Sequence, residues 1–212
     1  MSSKRIIPAE EIKSEFQVSN SKFISTASPA FSVEEAKLFI DRIKSTYNDA
    51  NHNVPIYIIG HPPSTIEHSN DDGEPSGTAG RPALSVLRGS GLGDIAIVIT
   101  RYFGGTKLGT GGLVRAYSDA VREVIKILPK AQKVPTVTAQ FSVPYNIYEL
   151  VQRLVSKYEG SISDQIFDVQ ATLTTQFIQD KFPEFSQKLY DISNGQISAE
   201  IIDSNPNTII PL

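Results

Sequence analysis

Apolar and polar residues alternate loosely over 9–18 and 22–28, which predicts two strands joined by a turn at Ser19–Ser21. The period then changes. Ala36, Phe39, Ile40 and Ile43 recur at helical spacing, and Ser32 with Glu35 three residues later forms a capping box, so a helix is expected from Ser32 to about Tyr47. VPIYIIG (54–60) reads as a short buried strand, and HPPSTIEHSNDDGEPSG (61–77), which has no period, as a long loop. Pro82 suits the first turn of a helix over 82–88 that Gly89 closes. DIAIVITRYF (94–103) is the clearest strand. GTGG then leads into a helix over 111–128 that buries Leu113, Ala116, Tyr117, Ala120, Val121, Val124 and Ile125.

Lys130 to Pro135 reads as a linker, after which the pattern restarts. A strand at 136–143, a helix at 146–158, strands at 161–169 and 171–178, a helix at 181–193 and a strand at 196–203 give the order βαββαβ, the ferredoxin-like plan. The expected fold is therefore α+β in two domains, 1–133 and 134–212.

Composition excludes several classes of function. The chain has 212 residues, 40% hydrophobic and 20% charged, ordinary for a globular protein. No window approaches the roughly 18 apolar residues of a membrane span, and no apolar core follows the basic pair near the N-terminus, so a cytoplasmic protein without a membrane partner is expected. Without cysteine there is no disulfide, thiolate metal site or thiol nucleophile. The net charge of −3 is unevenly spread: residues 134–212 hold four basic and nine acidic side chains, whereas 101–133 hold seven basic against Asp119 and Glu123. That local excess leaves room for a specific anionic partner.

Eleven of the 14 glycines lie between Gly73 and Gly112, in DDGEPSGTAGRP (71–82), the stretch after it and RYFGGTKLGTGGLVRAY (101–117). The second block ends a strand and starts a helix at Thr110-Gly111-Gly112, where free amides and the helix dipole favour an anion. Arg101, Lys107 and Arg115 flank that terminus, and Arg122 and Lys126 continue Arg115's side of the helix. A phosphate of a nucleotide or an RNA backbone fits this arrangement; a tight strand-to-helix crossing with solvated charges fits it equally. Tyr102, Phe103 and Tyr117 are available for base stacking, or are core. The P-loop pattern fails because Thr110-Gly111 stands where Lys-Ser is required, and GSGLGD (89–94) precedes a strand, so the dinucleotide fingerprint fails too.

Asp71, Asp72 and Glu74 surround Gly73 on the first block, without the spacing of a calcium loop; a solvated turn is preferred to a metal site, and a carboxylate loop that pairs with the Arg/Lys surface or positions a substrate stays open. His52, His61 and His68 show no metal or triad spacing, and His52 is expected to be structural while hydrogen-bonding into the glycine-rich loops. No catalytic residue, metal or cofactor is expected.

The blocks DDGEPSGTAGRP and TRYFGGTKLGTGGLVRAYSDA, with NHNVPIYIIG before them, closely resemble the IMPACT family, and the resemblance covers essentially the whole chain. It implies a ribosomal protein S5 domain 2-like first domain and a ferredoxin-like second domain, a pairing similar to domains IV and V of elongation factor G. The family's eukaryotic members regulate translation initiation through a kinase, using an additional N-terminal domain that this sequence lacks, so that role is not carried over. The glycine-rich site is carried over: Asp71, Asp72, Gly73, Glu74, Gly77, Thr78, Gly80, Arg101, Tyr102, Gly104, Gly105, Lys107, Gly109, Thr110, Gly111, Gly112 and Arg115. The resulting expectation is a non-catalytic RNA- or ribosome-associated protein with a role around translation. Its binding is salt-sensitive and weakened by Arg101→Ala or Arg115→Ala. Two alternatives stay open: an enzyme or small phosphorylated-ligand binder using Asp71, Asp72, Glu74 and the helix N-terminus, and a protein–protein adaptor whose 61–77 loop orders on contact.

Overall fold

A computed structural model describes residues 5–212 and divides them into two compact units. One runs through Gln132 and includes Pro211–Leu212; the other is Lys133–Ile210. The first begins with β1 (Arg5–Pro8), β2 (Ile12–Val18), β3 (Ser21–Pro29) and α1 (Val33–Thr46). It continues with β4 (His52–His61), β5 (Ser64–Ser69), α2 (Gly80–Gly89), β6 (Ile95–Tyr102) and α3 (Gly109–Ile127).

The β2–β3 turn is set by Ser19 and Asn20, both left-handed (φ 45° and 66°), so Val18 pairs directly with Ser21 in a two-residue hairpin whose twist suits the strands. Ser32 caps α1 by accepting from the Glu35 amide, while the Glu35 carboxylate turns back to accept from Phe31 N–H at 2.8 Å, one residue before the cap. Its buried stripe is Ala36, Phe39, Ile40 and Ile43, as the spacing predicts.

The sheet is antiparallel throughout, in the order β2-β3-β6-β4-β5, and both its faces are covered. Ile95, Ile97 and Ile99 of β6, with Val54, Ile56 and Ile58 of β4, belong to the core that includes α2 and α3. Ala96 and Val98, with Tyr57 and Ile59, belong to the core of α1. Burial on both faces explains the unbroken apolar run of β6.

Several boundaries differ from the sequence reading. The long loop expected over 61–77 begins as strand β5, paired with β4 from Ile56↔Ser69 to His61↔Ser64. It is a polar, mostly exposed strand whose order comes from backbone pairing, leaving no apolar period to read. β1 was not anticipated, although Ile7 is fully buried. The linker expected at 130–135 is the start of a continuous strand, β7 (Lys130–Val143), in which Ala131 and Val134 are buried.

In the second unit α4 (Tyr148–Lys157), β8 (Ser161–Phe167), β9 (Ala171–Ile178), α5 (Phe182–Ile192) and β10 (Glu200–Pro211) follow β7. β9 lies between β7 and β8, antiparallel to both, and β10 pairs with β7. This is the βαββαβ ferredoxin-like arrangement. Its core is aromatic: Phe177 and Phe185 have centroids 4.2 Å apart, with Phe141 and Phe182 beside them. The last strand was expected at 196–203. Ile197 instead anchors the connection in this core, and the strand starts at Glu200 and runs past Pro206. Among the described residues no helix is long and apolar enough to cross a membrane.

Candidate functional site

Strand register assembles the site. Arg101 stands opposite Phe23 of β3 and opposite His52 of β4, and Phe23 stands opposite Phe16 of β2. Directly opposed residues project to the same face at about 5 Å, so Phe16, Phe23, Arg101 and His52 form one row across the sheet. Alternation along β6 puts Arg101 on the same face as Ile95, Ile97 and Ile99, turned toward the core. It is 5% exposed, with its guanidinium carbon 5.5 Å from the centroid of the fully buried Phe23 ring.

A guanidinium in that position needs a counter-charge, because an unpaired buried ion is costly. Glu74, 7% exposed, supplies it at 2.6 Å from Arg101 Nη1. The Tyr117 hydroxyl of α3 donates to the same Glu74 oxygen at 2.7 Å. Burial and then the Glu74 hydrogen bond push the Tyr117 phenol far above its usual range, so it remains a neutral donor. Arg101 Nη2 lies 3.4 Å from Ser21 Oγ, and Arg101 Nε is buried without a hydrogen-bond partner.

The acidic loop is tied down internally. Asp71 accepts from Gly77 N–H (2.7 Å), Gly80 N–H (2.8 Å) and Ala79 N–H (3.1 Å), thereby capping α2, which has no cap from its own N-cap residue, Ala79. Asp72 (φ 47°) and Gly73 (φ 85°) make a left-handed turn that suits glycine at 73. Asp72 carboxylate oxygens meet Lys44 Nζ at 2.5 Å and Asn53 N–H at 2.7 Å. Thr78 Oγ donates to the Pro75 carbonyl at 2.6 Å. The solvated turn preferred from the sequence is not what is found; Asp72 and Glu74 pair with Lys44 and Arg101, as the alternative left open there had it, and Asp71 is held by backbone amides. Among the described residues no three His, Asp or Glu side chains gather as a metal site.

Desolvation opposes the charge on Asp71, but its three amide hydrogen bonds outweigh it and hold the carboxyl below the usual range. A lowered folded pKa gives stability that is complete above the unfolded value of about 3.9 and is lost as pH falls through the folded value. Wild type is therefore expected to show a steep loss of stability below about pH 4 that Asp71→Asn flattens, at a cost near neutral pH of about 1–2 kcal/mol because the Asn NH2 would face the Gly77 N–H that Oδ2 now accepts. Urea unfolding from pH 6 to pH 2 checks this.

His52 does hydrogen-bond into the glycine-rich loop, as the sequence suggested: Nδ1 is 2.8 Å from the Asp72 carbonyl. A carbonyl only accepts, so Nδ1 carries the proton, and Nε2 sits 3.7 Å from Glu74 Oε1. The role of His52 at the centre was missed, because its pairing with Arg101 is visible only in the register.

The anion-binding set predicted from sequence separates into three places. Arg101 is inside and neutralised. Lys107 and Thr110 line a cavity of about 460 Å³ together with Gly109, Leu108, Leu113, Asn51, His52, Glu74, Pro75, Arg101 and Phe103. Arg115, Arg122 and Lys126 lie on the exposed side of α3, where Arg122 pairs with Asp119 at 2.6 Å. Arg115, Lys126 and Lys107 make no ion pair among the described residues. At the helix start Thr110 and Gly111 are exposed and Gly112 is half-buried, and no side chain caps the amides. Tyr117 is fully buried, so it is core and not a stacking surface. Tyr102 donates to Asp49 at 2.7 Å, which with burial pushes its phenol up to about 12, and Phe103 is 45% exposed.

Comparison with known proteins bears on the whole chain. Residues 19–125 match the model described as the Impact N-terminal domain, and 141–196 match a domain of unknown function (DUF1949). The chain is 34% identical over 199 residues to an IMPACT family member of Haemophilus influenzae, covering 93% of this chain and 97% of that protein. It is 33% identical to the IMPACT family member YigZ of Escherichia coli, with 93% and 98% covered. A crystal structure of a hypothetical protein is similar at 33% identity and a TM-score of 0.62, covering 96% of this chain and 99% of that one.

Proposed function

The chain belongs to the IMPACT family, and from that premise we propose that it is a cytoplasmic RNA-binding protein, acting on free or ribosomal RNA, with a role in regulating translation. The observation that carries this reading is the exposed side of α3. Arg115 and Lys126 stand there without ion pairs, and Lys107 and the uncapped amides at 109–112 lie at its start, a local cationic side on a chain whose net charge is −3. Lys107 and the free amides favour a phosphate at the helix start, and Arg115 and Lys126, the latter in the last turn, extend the same side for a phosphodiester backbone. Binding without catalysis is supported by the loop carboxylates, since Asp71, Asp72 and Glu74 are all committed to partners within the fold.

The adaptor reading based on a 61–77 loop that orders on contact has lost its support, because that segment is already a paired strand followed by a hydrogen-bonded turn. Arg115→Glu combined with Lys126→Glu is expected to reduce single-stranded RNA affinity by tenfold or more at low salt, with folding unchanged. Filter binding alongside circular dichroism checks this, and undiminished affinity in the folded double variant overturns the reading.

A further inference from the structure

The cavity beside the α3 N-terminus has chemistry that the exposed face of the helix lacks. Its volume of about 460 Å³ is in the range of small-ligand sites. Among its lining residues Arg101 and Glu74 balance each other, so the charge left for a ligand is that of Lys107, reinforced by the α3 amides at Gly109 and Thr110. One part of the cavity therefore favours an anion.

The rest favours a flat, partly apolar body. Phe103, Leu108, Leu113 and Pro75 line it, and Phe103 remains 45% exposed although the Arg101 guanidinium carbon lies 5.6 Å from its centroid. One polar side chain for an edge of that body lies alongside. His52 lines the cavity, with Nδ1 held by the Asp72 carbonyl and Nε2 3.7 Å from Glu74 Oε1. An anion anchor and an aromatic wall complement a nucleotide better than a sugar phosphate, which would leave the aromatic wall without a partner.

We infer that this cavity binds one nucleoside monophosphate unit, free or as an unstacked residue of an RNA strand, with its phosphate at Lys107 and the α3 amides and its base against Phe103. This rests on the phosphate reading of the α3 terminus given above and adds a pocket for a base. The full chain, labelled with nitrogen-15, is titrated with adenosine monophosphate, uridine monophosphate, ribose 5-phosphate and a hexauridylate while the amides of residues 109–112 and Phe103 are followed.

Saturable shifts at those amides are expected with a mononucleotide or the oligonucleotide, with ribose 5-phosphate about tenfold weaker or more. Phe103→Ala is expected to remove that preference while leaving the response to ribose 5-phosphate. Response to the oligonucleotide alone identifies an RNA residue as the source. Response to mononucleotides alone supports the pocket and contradicts the RNA reading. RNA binding that depends on Arg115 and Lys126 but leaves the cavity amides unmoved overturns the pocket and spares the RNA reading. Equal binding of ribose 5-phosphate and nucleotides, or no response from any probe, also overturns it.

Discussion

Arg101→Met is expected to destabilise the first unit by about 3–5 kcal/mol, the usual result of removing one member of a buried ion pair. The loss comes mainly from the partner left behind. Glu74 is 7% exposed and would keep only the Tyr117 hydroxyl at 2.7 Å and His52 Nε2 at 3.7 Å. Since whole domains are stable by about 5–15 kcal/mol, this is a large fraction of the total. Arg101→Met with Glu74→Gln is expected to recover much of it, because paired removal of buried charges costs far less than single removal. Urea unfolding of wild type, both single variants and the double variant measures the coupling. If Arg101→Met costs under 1 kcal/mol, the pair is not the anchor of the site. The same reasoning rules out Arg101→Ala as a simple binding control, since lost binding would report lost folding.

Gly104→Ala is expected to be comparably severe for a different reason. A Cβ there would lie 2.0 Å from the Asn20 carbonyl carbon, 2.1 Å from its oxygen and 2.5 Å from Ser21 N, all backbone of the β2–β3 turn. That turn has little freedom to retreat, because Ser19 and Asn20 are already left-handed and the Gly104 amide donates to Ser21 Oγ at 3.2 Å. Overpacking typically costs about 1–3 kcal/mol, and a clash between two backbones belongs at or above the top of that range. Gly111→Ala is the contrast: its Cβ would meet nothing within 4 Å, so a neutral or stabilising effect of up to about 1 kcal/mol is expected in the helix. Thermal unfolding separates the two. Equal effects would show that the glycines of 104–112 share one role, contrary to the geometry.

That division among glycines shows what the sequence conveys and what it leaves out. Helix α1 was legible because its cap and stripe are local, and β9 was read with its observed bounds because its alternation is clean. β5 and the first residues of β7 were not, because backbone pairing and a few buried small residues order them without a long apolar period. At the site, the sequence located the right blocks but misjudged depth. Arg101 looked like a surface cation at a strand end, although continuing the alternation of Ile95, Ile97 and Ile99 places it on the core face. Its pairing with His52 and Phe23 could not be read, since register across three strands is a tertiary property. Tyr117 was correctly placed on the buried face of α3, while its hydrogen bond to Glu74 depends on a loop more than forty residues away in sequence.

The central claim is that the exposed α3 cations meet an RNA backbone. The most direct measurement is the salt dependence of single-stranded RNA binding by wild type and by the Arg115→Glu, Lys126→Glu variant. Neutralising about three or four phosphates predicts that log K falls with log salt at a slope of about −2 to −3 for wild type, and that the variant is both weaker and flatter. A slope near zero, or the same slope in both proteins, would contradict the account.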